Sequence, residues 1–278
     1  WSSDVCSSDL SVQESQGVKR KVAFLFTGQG SQYEDMGKGL YESEPVFKDA
    51  LDRCAVIMQG IWDVPLLSVL YPVSDATVGL IHETAYSQPA LFALEYSLAQ
   101  LWISKGVVPD AVMGHSAGEY VGATIAGVFS LEDGLRLVAA RGKFMQECPK
   151  QDGVMYAVRA SVEDVEAGIQ KLKANGFDSS LGSTLSIAAV NGKKSVTIAG
   201  AKAAVEELLN TQRLRNKQLQ VSHAFHSPLM APAAEKLEKL VSTVALSSPQ
   251  IPLISNVSGA DRKSTRLNSS HTVISYAV

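Results

Sequence analysis

The sequence predicts an α/β fold, a parallel sheet packed against helices and interrupted by a small insert. Three observations carry this. Apolar runs at 21–26 and 111–113 each end in a glycine-rich loop and then give way to helical patterns. From Cys148-Pro149 onward the texture changes to short alternating strands and charged amphipathic helices, in the order β-α-β-β-α-β. A last helix and strand, 235–244 and 251–254, return to the first texture.

Composition sets the bounds. The chain has 278 residues, 46% of them hydrophobic and 19% charged, with a formal charge of -3. That is an ordinary globular profile, without the basic excess of a nucleic-acid binder. No apolar run is long enough to span a membrane, and no secretory leader pattern opens the chain. Cys6, Cys54 and Cys148 have no C-x-x-C spacing, so neither a disulfide framework nor a zinc site is expected; a reducing, cytoplasmic setting fits. The serine-rich ends, 1–17 and 261–278, read as non-native or disordered tails. The expected organisation is a main domain from 18–149 and 222–260, with a subdomain at 150–221.

The first strand, 21–26, runs into Gly28-Gln29-Gly30-Ser31-Gln32. A dinucleotide fingerprint would need a third glycine at Tyr33, so that reading fails. A glycine loop at the carboxyl end of a strand remains, where open α/β sheets place ligands. Val46, Ala50, Leu51, Cys54 and Ile57 mark one face of a helix. After a loop over 65–77, Gln88-Pro89 opens a helix whose stripe is Leu91, Leu94, Leu98 and Leu101, ended by Gly106. A strand over 107–113 feeds the next turn, followed by a small-residue helix over 117–127. Ser130, with Asp133 three residues on, starts another helix, and Arg141 lies near its middle. In the insert, strands at 154–159, 185–190, 195–199 and 217–221 flank helices at 162–174 and 202–209. Asn191-Gly192 marks a hairpin turn, and the whole is a split βαβ, or ferredoxin-like, arrangement.

Gly114-His115-Ser116-Ala117-Gly118 is a G-x-S-x-G turn. Small residues two before and two after the serine let the chain reverse between strand and helix, leaving the hydroxyl exposed. A serine hydroxyl needs a base to take its proton. The chain has five histidines. His271 falls in the tail, His82 in a polar loop, and His115 diverges from its neighbour Ser116. His223 and His226 follow the insert's last strand, which makes them the better placed pair, although an exposed loop of two histidines is the plainer reading.

Several separated motifs now occur in one order. Gly28-Gln29-Gly30-Ser31-Gln32, Gly114-His115-Ser116-Ala117-Gly118-Glu119, Ala140-Arg141-Gly142 and His223-Ala224-Phe225-His226 together resemble the malonyl-CoA:acyl carrier protein transacylase family. The likeness is to the acyltransferase domain of modular (type I) polyketide synthases, over about residues 19–259. It implies an α/β-hydrolase-like domain carrying a ferredoxin-like insert. It also implies Ser116 as nucleophile, His226 as base, and the backbone N–H groups of Gln29 and Ala117 as the oxyanion hole. Arg141 would hold the malonyl carboxylate, with Gln88, Phe225 and His223 lining the substrate site. Phe225 would crowd the methyl branch of methylmalonyl. No bound cofactor is implied. Malonyl-CoA is the donor, and the acceptor is the phosphopantetheine thiol of an acyl carrier protein, with neighbouring synthase domains as further partners in polyketide or fatty acid biosynthesis.

The resemblance stops near Gly259, before the family's closing segment. A domain truncated there is expected to lack the group that orients His226 and to be poorly stable and weakly active. Two other functions share parts of the pattern. A serine esterase has the same nucleophile turn but no use for a carboxylate-binding arginine. A non-catalytic docking module would not need Ser116, His226 and Arg141 intact.

Overall fold

A computed structural model describes residues 20–149 and 152–256. The expected tails lie outside the described residues. The α/β class holds, with two separate sheets. In the first, β1 (Ala23–Phe26) and β7 (Leu253–Ile254) flank β2 (Ala111–Gly114), all parallel. In the second, β3 (Gly153–Val158), β4 (Ser186–Gly192), β5 (Ser195–Ala201) and β6 (Asn216–Gln218) pair antiparallel in the order β4-β5-β3-β6. Helices α1 (Lys38–Ser43), α2 (Pro45–Met58) and α3 (Leu66–Leu70) lead to α4 (Thr84–Ser104). α5 (Gly118–Ile125) and α6 (Leu131–Glu147) follow β2. The second sheet carries α7 (Val162–Ala174), the single turn α8 (Ser179–Gly182) and α9 (Lys202–Gln212), and α10 (Ala231–Val241) returns to the first unit.

Local signals explain several boundaries. Ser130 caps α6 by accepting the Asp133 N–H at 3.0 Å. Ser161 and Asp164 form a reciprocal capping box, and α7 spans 162–174, as the sequence pattern sets it. Elsewhere long-range contacts override local pattern. The expected loop at 65–77 contains α3, whose Leu66, Val69 and Leu70 are buried in the main core. α4 begins at Thr84, one turn before Gln88-Pro89, because Gln146 of α6 accepts the Ala85 N–H at 2.8 Å and stands in for a cap. The strand expected at 107–113 pairs only over β2. The hairpin turn sits at Lys193-Lys194, not Asn191-Gly192; bulges lengthen β4, and Gly192 pairs with Ser195.

Two apolar clusters correspond to the two sheets. Strand alternation divides the second sheet between them. Val154, Tyr156, Val158, Val196 and Ile198 face α7 and α9, whereas Met155 and Ala199 join the main core.

Candidate active site

Close backbone contact builds the nucleophile turn. A Cβ on Gly114 would lie 2.0 Å from the Gly118 carbonyl carbon, and one on Gly118 would lie 2.4 Å from the Thr27 carbonyl oxygen. Only glycine lets β2, the turn and the loop after β1 meet here. Ser116 stands at the tip with φ 52°, in the left-handed region. Behind it, the buried Glu119 carboxylate accepts the Asn256 N–H at 2.9 Å, tying α5 to the end of β7.

Ser116 Oγ lies 2.9 Å from His226 Nε2 and accepts a hydrogen bond from Arg141 Nη2, also at 2.9 Å. Arginine is a donor only, so the single hydroxyl proton is directed at His226 Nε2. This assigns the imidazole proton to Nδ1. Among the described residues, Nδ1 has no hydrogen-bond partner. Burial, then the Arg141 charge and then His115, push the His226 pKa down to about 3. The imidazole is therefore neutral near pH 7, as a base must be. His226 also has a left-handed φ, 56°, and its carbonyl accepts the Ser186 hydroxyl of β4 at 2.8 Å. Ser186 had no signal in the sequence: it is one polar residue at a strand start, 40 positions away.

Arg141 is 1% exposed, on the buried face of α6, with its guanidinium 5.9 Å from the centre of the Tyr120 ring. It donates from Nη1 to Gln88 Oε1 at 2.6 Å. Gln88 in turn donates to Gln29 Oε1 at 3.1 Å, joining α4 to the loop after β1. The close approach needs Gly142, whose Cβ would lie 2.6 Å from the Thr84 carbonyl oxygen. Among the described residues, no acceptor occupies the backbone N–H of Gln29 or Ala117.

These groups open onto a cavity of about 810 Å³ between the two sheets. Met155, Ala188, Asn191 and Leu219 close it from the insert side, while Phe225, 6% exposed, supplies an aromatic wall. His82 and His115 line it as well, and both are exposed. His223 does not line it: it is buried behind the wall, and the cavity-facing neighbour is Ser222. Among the described residues, no group of three His, Cys, Asp or Glu side chains clusters as a metal site would require. Nor is any helix among them long and apolar enough to cross a membrane.

The family model described as the acyl transferase domain matches residues 23–277. The chain belongs to the acyl transferase domain family. The match continues past Gly259, where the motif-based resemblance ended. Mycoketide-CoA synthase of Mycobacterium tuberculosis is 42% identical over 242 residues, covering 86% of this chain and 5% of that protein. The acyl transferase domain is thus a small part of the curated relatives it matches. The acyltransferase domain from the second module of the salinomycin polyketide synthase superposes with a TM-score of 0.81 at 37% identity, covering 93% of this chain and 58% of that one. A malonyl-transacylase solved with a type II polyketide synthase acyl-carrier protein gives a TM-score of 0.80 at 28% identity, covering 93% and 81% of the two chains.

Proposed function

We propose that this acyl transferase domain moves a malonyl group from malonyl-CoA, through Ser116, to the phosphopantetheine thiol of an acyl carrier protein. The observation that carries the reading is the position of Ser116 Oγ, 2.9 Å from a neutral imidazole and 2.9 Å from a buried guanidinium. Ser116 Oγ attacks the thioester carbonyl as its proton passes to His226 Nε2. The backbone N–H groups of Gln29 and Ala117 take the oxyanion, a contact whose loss costs ~10²–10³ in turnover. When the tetrahedral intermediate collapses, the C–S bond breaks and the imidazolium protonates the leaving thiolate. The carrier thiol then gives its proton to His226, attacks the seryl ester, and regenerates Ser116.

Arg141 binds the malonyl carboxylate, using the planar fork that lysine lacks. Gln88 fixes that fork, and Phe225 narrows the room beside the acyl α-carbon. A buried guanidinium fork 2.9 Å from the nucleophile is matched in shape and charge to a carboxylate, which favours a transferase of carboxylated acyl groups over an esterase. The likeness to the salinomycin polyketide synthase domain supports a place among polyketide synthase domains, and the structure solved with an acyl-carrier protein supports that class of acceptor. The free, buried Cys54 and Cys148 suit a reducing cytoplasm.

The deciding experiment is intact-protein mass spectrometry after exposure to malonyl-CoA or acetyl-CoA. A malonyl adduct absent in Ser116→Ala, and favoured over acetyl only while Arg141 is present, is the expected result. Rapid appearance of free malonate without a stable adduct would instead indicate a hydrolase.

A further inference from the structure

The contacts along and behind the cavity wall form one continuous chain. Arg141 Nη1 donates to Gln88 Oε1 at 2.6 Å, and Gln88 Nε2 donates to Gln29 Oε1 at 3.1 Å. Gln29 Nε2 donates to Thr84 Oγ1 at 3.1 Å. Thr84 Oγ1 lies 3.4 Å from Ser222 Oγ, and Ser222 Oγ lies 2.9 Å from His223 Nδ1. His223 Nε2 ends the series, 3.0 Å from the Cys148 carbonyl oxygen.

The two ends fix the direction of every link. A guanidinium only donates, and a carbonyl oxygen only accepts. His223 therefore carries a proton on Nε2, and in the neutral imidazole Nδ1 is then the acceptor. The Ser222 proton then points to His223, so Ser222 Oγ accepts from Thr84, and Thr84 Oγ1 accepts from Gln29. Both glutamine amides are held in one orientation, each with its oxygen toward Arg141. A flipped Gln88 would present an N–H to the guanidinium, leaving two donors face to face in a buried site.

We propose that His223 is a positioning residue: it anchors the far end of a one-way hydrogen-bond chain whose near end aims the Arg141 guanidinium at the acyl carboxylate. His223 touches neither the reacting atoms nor the cavity. It acts through Ser222, Thr84, Gln29 and Gln88, which span three segments far apart in sequence. The proposal rests on the reading that Arg141 takes the carboxylate.

The experiment compares His223→Gln, His223→Asn, Thr84→Val and Arg141→Ala by the rate of seryl-adduct formation from malonyl-CoA and acetyl-CoA. Glutamine can still donate to the Cys148 carbonyl but places no acceptor at Nδ1, whereas the Asn Oδ1 takes that acceptor's place. The expected result is a drop of about tenfold in the malonyl-to-acetyl rate ratio for His223→Gln, with the ratio kept in His223→Asn. Thr84→Val should lose as much as His223→Gln, and the double variant no more than either alone, because both cut one chain. Equal losses for Gln and Asn, multiplying losses in the double variant, or parallel falls in both rates would overturn the proposal. If Arg141→Ala destroys the malonyl preference and His223→Gln does not, only the positioning role fails. If Arg141→Ala keeps that preference, the carboxylate reading fails and takes this proposal with it.

Discussion

At the scale of single residues, the nucleophile and its base both sit on backbone that L-residues avoid. A left-handed φ costs a non-glycine residue roughly 1–2 kcal/mol, and Ser116 and His226 have φ values of 52° and 56°. Comparing two inactive variants isolates this cost. Ser116→Gly should unfold at higher denaturant than Ser116→Ala, by about 1 kcal/mol, since only glycine releases the strain while both lose the hydroxyl. Equal stabilities would show that the turn is unstrained. Phe225 supports a prediction of a different kind. One methyl group is worth about 1–3 kcal/mol of discrimination, so Phe225→Ser should raise methylmalonyl use relative to malonyl by about tenfold or more. An unchanged ratio of the two kcat/KM values would remove Phe225 as the gate.

At the scale of elements, the α4–α6 contact sets the site, because it brings Gln88 to Arg141. Gly142→Ala places a methyl group against the Thr84 carbonyl, and neither backbone can yield without parting the helices. The expected cost is about 1–3 kcal/mol, read as a lower urea midpoint, together with weaker malonyl discrimination as Arg141 shifts from Gln88. Much at this scale was legible in the sequence. Ser130 with Asp133 announced α6, and the charge pattern of 162–174 announced α7, because caps and amphipathic faces are local. The start of α4 was not legible, since its cap comes from Gln146, 61 residues away. The Asn191-Gly192 signal misled because bulges in β4 moved the turn by two residues. Within the site, motifs pointed to Ser116, Arg141 and His226. The links through Thr84, Ser222 and Ser186 had no motif, since each is a single hydroxyl whose partner is distant in the chain.

At the scale of the whole molecule, two buried titrations oppose each other. Burial, partly offset by hydrogen bonds from the Thr27 N–H and hydroxyl, raises Glu95 from 4.5 to about 7. The folded chain therefore binds the extra proton across that window, and Glu95 makes it less stable as pH rises through it. His226 is lowered from 6.5 to about 3, so the unfolded chain binds more protons there and stability falls as pH drops through that window. Over roughly pH 4.5–6.5 the two slopes cancel, which predicts a plateau with a fall on the acid side. Glu95→Gln should replace the plateau by stability that climbs with pH up to about 6.5 and then levels. Denaturant unfolding across pH 4–8 reads this directly, and a plateau that survives the substitution would mean that Glu95 titrates normally.

The second sheet has one further consequence. Its strands hand Met155 and Ala199 to the main core while keeping Val154, Tyr156, Val158, Val196 and Ile198 for their own. The unit is therefore stitched in rather than clipped on. Grafting it between homologous domains as a cassette would transplant half of a seam without its other half. A chimera that also exchanges the main-core side chains meeting Met155 and Ala199 is the one whose boundaries follow the packing.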